Sequence, residues 1–197
     1  YTGVLDFERG KEDAITPYPW LTDDSIKDKT WFYQEFDTTW KSANDLIGLL
    51  ADIVSKNGNL LLNIDPKPDG TFQEETIAIL KNVGQWLKIN GESIYNTRPW
   101  IIYGEGAEND SGSVRYTRGK DNKIIYAILL NWLGSNKEQI DLKSIKKGEQ
   151  KIGSIYTLDS KEKLAWKWNN GYLQVKIPSQ NIDTSDVKAV ALKINLK

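Results

Sequence analysis

Two kinds of hydrophobic spacing divide the chain near Arg98. Before it, Leu46, Ile47, Leu50, Ile53 and Val54 recur at the three- and four-residue intervals of one helix face. Ser42 and Asp45 place a capping box at the start of that helix, and Gly58 reads as its terminator. Asn59 to Ile64 is then a nearly continuous apolar run, the pattern of a strand buried on both faces of a parallel sheet. Asp65 to Gly70 is a loop. Thr71 with Glu74 predicts a second capping box, and Ile77, Leu80, Val83, Gly84 and Leu87 predict the buried stripe of a second helix that ends at Asn90-Gly91. Helix, buried strand, loop and helix make one turn of an α/β fold.

Residues 1–41 lack a clean period. They hold Tyr18-Pro19-Trp20 and Trp31-Phe32-Tyr33, and Pro17 and Pro19 exclude a helix, so they read as an elaborate loop region. After Arg98-Pro99-Trp100 the spacing changes to that of short strands: 113–118 with Val114 and Tyr116 on one side, then 123–130, 151–158, 164–168, 172–177 and 187–196. Asn170-Gly171 supplies the positive φ of a type I′ hairpin turn. About eight strands separated by Gly, Asn and Asp turns predict an antiparallel sandwich. The boundary falls at residues 1–97 and 98–197. One strand and two helices cannot enclose a parallel core, so the first part is expected to need further strands, encoded before Tyr1.

Composition narrows the chemistry. The 197 residues contain no Cys and no His, so a Ser-His-Asp triad, a thiolate nucleophile and a disulfide cannot come from this chain alone. Carboxylates, Lys, Tyr, Ser and Thr remain, beside eight Trp and nine Tyr. Carboxylates among aromatic faces suit sugar chemistry. A net charge of −1 gives no support for nucleic acid or an anionic membrane as partner, and no apolar run approaches the roughly 18 residues of a membrane span.

Particular residues carry a resemblance. Asp6-Phe7-Glu8-Arg9-Gly10, Pro19-Trp20, Ser25-Ile26, Trp31 with Tyr33, and Lys41-Ser42-Ala43 lead into the run from Asp52 to Ile64. Pro66-Lys67-Pro68-Asp69-Gly70, Gly84, Trp86-Leu87, Asn90-Gly91-Glu92-Ser93-Ile94-Tyr95 and Arg98-Pro99-Trp100 follow in order. In this order and spacing the chain resembles the C-terminal part of the α-L-fucosidases, glycoside hydrolase family 29. The resemblance implies the last part of a (β/α)8-like barrel followed by an all-β antiparallel sandwich. It implies retaining removal of terminal α-L-fucose, a nucleophilic Asp upstream of this chain, no cofactor and no metal. It implies a fucosylated oligosaccharide or glycoconjugate and the N-terminal barrel half as partners, and it admits a homo-oligomer. A secreted or periplasmic location follows, lysosomal in an animal. The 197 residues alone are expected to be inactive.

Retaining hydrolysis needs a second carboxyl group that donates a proton and later accepts one. By the resemblance that general acid/base is Glu8, with Phe7 as an apolar wall and Arg9 as a neighbouring charge. The residues by themselves equally describe a surface Glu-Arg pair. Trp31, and less directly Tyr33 and Trp20, are candidates for the sugar pocket, since an indole can cover the apolar face of fucose; each could instead pack the core. Asn63 and Asp65 sit where a barrel strand ends on its catalytic face, yet both read as turn residues. Asp65, Asp69 and Gly70 lack EF-hand spacing. Asn109-Asp110-Ser111 is a glycosylation sequon, and Lys143, Lys146, Lys147 and Lys151 a solvated cluster. The competing function is a non-catalytic carbohydrate-binding or interaction module, with Trp166 and Trp168 as a platform on one strand face.

Overall fold

The computed structural model describes residues 3–107, 110, 112–132, 138–177 and 187–197. Strands β1 (Leu5–Glu8), β2 (Trp20–Ser25) and β3 (Gly58–Asn63) form a parallel sheet in that order. Helix α1 (Ala43–Ser55) makes the crossover from β2 to β3, and α2 (Glu74–Asn90) follows β3. The region 1–41 is therefore not all loop. Its strands escape a periodicity search because they are four and six residues long and carry Asp and Glu, which are poor strand formers. Pro17 and Pro19 lie just before β2, where they remove no ladder hydrogen bond.

Ser42 caps α1 as the sequence predicts: its hydroxyl accepts from the Asp45 N–H, and the Asp45 carboxylate accepts from the Ser42 N–H at 2.8 Å. Gly58 does not terminate the helix. Asn57 takes the left-handed conformation at φ 76°, and Gly58 already belongs to β3. Glycine is needed there for space: a Cβ would lie 2.6 Å from the ring of Trp20 and 2.7 Å from Ile53 Cγ2.

The second capping box is absent. Gln73 is the N-cap of α2 without a side-chain bond, while Thr71 bonds to Asp69 at 2.7 Å. The buried stripe of α2 also differs. Thr76, Trp86 and Asn90 are buried, with Ile79, Val83 and Leu87 partly so, whereas Ile77 and Gly84 face outward. The displacement follows from what covers the helix. Trp86 packs with Ala43, Ile47 and Ala51 of α1 and with Ile128, Val187 and Ala191, and its indole N–H donates to the Ala189 carbonyl at 2.9 Å.

Among the described residues eight further strands follow: β4 (Thr97–Glu105), β5 (Val114–Gly119), β6 (Ile124–Leu129), β7 (Gln139–Lys146), β8 (Ile152–Thr157), β9 (Trp166–Asn169), β10 (Tyr172–Lys176) and β11 (Val190–Leu196). They build two antiparallel sheets, β4-β5-β6-β11-β8 and β7-β10-β9. Residues of both close on one core that includes Tyr116, Leu129, Trp132, Leu142, Val175 and Leu192, the arrangement of a sandwich. Asn170 and Gly171 turn the β9–β10 hairpin with φ of 48° and 83°.

Strand β7 is hidden in the sequence by its lysines. Lys143 and Lys146 are solvated as expected, while Ile140, Leu142 and Ile145 are buried between them. A register shift opposite Tyr172 and Leu173 breaks the two-residue alternation. Trp166 and Trp168 meet edge to face at 5.9 Å and pack against the sandwich core, so they form no exposed platform.

Candidate active site

In a parallel sheet, residues in register project to the same face, and successive residues to opposite faces. Phe7, Trp20 and Gly58 lie toward the helices, where Phe7 meets Trp20 edge to face at 5.6 Å. Glu8, paired with Asp23 and through it with Leu61, lies on the other face together with Asn63. Phe7 therefore cannot wall Glu8, because neighbours along a strand point apart. Trp20 is fully buried and its indole N–H donates to the Lys56 carbonyl at 3.1 Å, which makes it core rather than pocket. Glu8 is exposed at the C-terminal end of β1.

Arg9 continues the ladder, its N–H donating to the Asp23 carbonyl at 2.9 Å, and turns away at φ 52°. Its guanidinium donates to the carbonyls of Asp28, Lys27 and Thr30, lies 3.8 Å from Asp24 Oδ1, and covers the Trp31 ring at 4.6 Å. Arg9 is thus committed to the 27–31 loop rather than to Glu8. Trp31 is half-buried, and its carbonyl accepts from Asn63 Nδ2 at 2.7 Å. Tyr33 is half-buried on the same loop. Glu8, Ser25 and Asn63, the last residues of three successive parallel strands, thereby share one end of the sheet with Trp31.

The loop has its own foundation. Lys41 Nζ donates to Asp24 Oδ1 at 3.1 Å and to the Ser25 and Lys27 carbonyls at 2.8 and 3.2 Å. Lys27 is fully buried; its Nζ donates to the Asp37 carbonyl at 2.7 Å, lies 3.4 Å from the centre of the Trp40 ring and 3.8 Å from Asp65 Oδ2. Asp65 is fully buried as well, so it anchors this neck and does not open a turn. The Thr39 hydroxyl and N–H, the Thr30 hydroxyl and the Lys27 charge hold the Asp37 carboxyl down at about 2. Arg9, Lys41, Asn63 and Lys27 were not singled out as loop supports from sequence, since their contacts span many residues with no periodic signature. Among the described residues no group of three or more His, Cys, Asp or Glu is arranged to hold a metal ion. Asn109 and Ser111 of the sequon lie outside the described residues.

A second cluster joins the parallel unit to the sandwich. Asp52 of α1, almost fully buried, accepts from Arg115 Nε of β5 at 2.5 Å and from Lys56 Nζ at 2.7 Å, with Lys11 Nζ at 3.2 Å. Burial pushes its pKa up, but the hydrogen bonds from Lys56 and Arg115 and the charges of Arg115 and Lys11 outweigh this and hold the carboxyl below its usual range.

A parallel α/β unit with a carboxylate and an aromatic loop at its strand ends, followed by a β-sandwich, is an arrangement found in glycosidases, and both parts match family models of that class. Residues 3–92 match the alpha-L-fucosidase family and residues 107–195 the alpha-L-fucosidase C-terminal domain. The chain belongs to the alpha-L-fucosidase family. It is 34% identical over 134 residues to an alpha-L-fucosidase of Branchiostoma floridae, covering 66% of this chain and 28% of that protein. It is 36% identical over 133 residues to the tissue alpha-L-fucosidase of Homo sapiens, covering 64% of this chain and 26% of the relative. The crystal structure of the Thermotoga maritima alpha-fucosidase in complex with fucose superposes with a TM-score of 0.76 at 28% identity, over 91% of this chain and 40% of that one. The chain thus spans roughly a quarter of the length of the curated relatives it matches.

Proposed function

We propose that this chain is the acid/base-bearing part of a retaining exo-glycosidase that releases terminal α-L-fucose from fucosylated glycans. In this reading residues 1–97 are the last part of a (β/α)8-like barrel and residues 98–197 its sandwich domain. Further strands complete the barrel, and the nucleophilic Asp belongs to sequence upstream of this chain. The outward position of Leu61 on β3 and of Ile77 on α2 supports a covering N-terminal half. The relatives' plasma and tissue fucosidase names support a secreted or lysosomal-type location.

The observation that carries the proposal is that Glu8 and the Arg9-covered Trp31 lie at the same, C-terminal end of the parallel strands, the end at which such barrels place their chemistry. Glu8 protonates the glycosidic oxygen as the upstream carboxylate attacks the anomeric carbon from about 5–5.5 Å away. Glu8 then takes the proton of the water that releases fucose. Trp31, and beside it Tyr33, offer an apolar face to the sugar and exclude water from it.

Glu8→Gln in the complete enzyme tests this. Loss of the acid costs about 10² to 10⁴ in rate with a sugar leaving group and far less with an acidic phenol, and azide restores turnover of the phenyl substrate. Equal losses on both substrates without azide rescue would remove Glu8 from the role. The 197-residue chain alone releases no nitrophenol above a blank, because covalent catalysis needs the missing nucleophile.

A further inference from the structure

We propose that Phe32 and Phe36 form the subsite for the sugar unit that carries the fucose, on an arm that rises from the strand ends beside Glu8. The inference rests on the fucosidase reading above. The chain between β2 and α1 is a braced arm rather than a slack connection. Its legs are laced antiparallel: the Asp28 N–H donates to the Thr39 carbonyl at 3.0 Å, the Lys41 N–H donates to the Ile26 carbonyl at 2.9 Å, and Lys27 bridges Trp40. Its tip closes in a turn, with the Asp37 N–H donating to the Gln34 carbonyl at 3.2 Å. The Asp37 carboxylate ties the two legs together, accepting from the Thr30 hydroxyl at 3.0 Å and from the Thr39 N–H at 2.8 Å.

On this braced tip two phenylalanines stand in solvent. Phe32 is 64% and Phe36 90% exposed, and neither ring belongs to a hydrophobic core of the chain. Rings held out this way by a fixed loop are an apolar surface kept for a contact. Position decides which contact. Trp31, next to Phe32, is tied through its carbonyl to Asn63 at the end of β3, and Glu8 ends β1. With fucose against Trp31, the oxygen that Glu8 protonates joins it to the next sugar, and that sugar lies outward from the strand ends, on the side where the arm stands. A pyranose presents a face of C–H groups, which a phenyl ring covers without hydrogen bonds. The one charged group between the two rings is Glu35, itself exposed, so the surface suits a neutral sugar rather than an acidic one. The substrate class is therefore an oligosaccharide whose fucose sits on a neutral sugar.

The test compares substrates with and without that next sugar in the complete enzyme. α-L-Fucosyl fluoride has no aglycone; the faster-cleaved of 2′- and 3-fucosyllactose has two sugars beyond the fucose. Phe32→Ala and Phe36→Ala are each expected to raise KM for the fucosyllactose by about threefold to tenfold, the worth of one aromatic face. With kcat little changed, that pattern marks lost binding rather than lost chemistry. Both constants for the fluoride are expected to stay as in the wild type, and Phe36→Tyr, which keeps the ring, to hold the wild-type KM for the fucosyllactose. A KM for the fucosyllactose that is unchanged in the double alanine variant overturns the inference. So does an equal rise on the fluoride, which assigns the rings to packing within the protein, and so does a wild-type enzyme that cleaves the fluoride but neither fucosyllactose. A wild-type enzyme that leaves the fluoride intact is a separate result: it removes the fucosidase reading, and the subsite with it.

Discussion

The guanidinium of Arg9 covers the ring of Trp31 at 4.6 Å while donating to the carbonyls of Lys27, Asp28 and Thr30. One side chain thus fixes the loop that bears the aromatic candidate, from the position next to the candidate acid. Lysine in its place keeps the charge but loses the flat fork that reaches three carbonyls and stacks on an indole. Arg9→Lys in the complete enzyme is expected to lower kcat/KM by about 10²-fold, the scale of a misplacement near 1 Å. Steady-state kinetics on a nitrophenyl fucoside check this, and a change under threefold would show that the loop holds without Arg9.

Gly58→Ala places a methyl group against the ring of Trp20 and Ile53 Cγ2, each closer than 3 Å. Overpacking of this kind costs about 1–3 kcal/mol. For a chain of this size that lowers the melting temperature by about 2–4 °C per kcal/mol, which a thermal unfolding scan reads directly.

Asp52→Asn leaves Arg115 and Lys56 buried without their anion, at a cost of about 3–5 kcal/mol near neutral pH. The pH dependence has a definite sign. The folded pKa of Asp52 lies below its unfolded value, so the stabilisation is complete above about pH 4 and is lost as pH falls through the folded pKa. Urea unfolding at pH 7 and in acid is therefore expected to show a large gap between the two proteins that narrows only below about pH 4. A gap of the same size at both would place the effect in packing rather than in charge.

Helix α1, strand β3 and the Asn170-Gly171 hairpin were legible in the sequence because each is governed by local rules: a reciprocal cap, an apolar run, a turn that demands positive φ. Strands β1, β2 and β7 were not. Strands β1 and β2 are four and six residues long and carry Asp and Glu, while in the eight-residue β7 exposed lysines and a register shift hide the alternation. The face of α2 was misread because its burial is decided by Ala189 and Ala191, about a hundred residues away, and no helical period encodes a distant lid. At the candidate site, Glu8 and Trp31 were singled out through the family motif and their roles stay proposals, while the hydrogen bonds that hold Trp31 and its loop at the strand ends run from Arg9 and Asn63 to main-chain carbonyls. Such bonds accept almost any residue at the far end and so leave no mark on the sequence there.

The docking of residues 187–191 on both helices has a consequence for synthesis. The Lys188 N–H donates to Asn44 Oδ1 at 2.6 Å, and the Ala189 carbonyl receives the indole of Trp86. These partners are separated by 144 and 103 positions, so the helices leave the ribosome long before their cover does. Until residues 187–191 emerge, about a hundred residues after α2, both helices expose an apolar seam that this segment then closes.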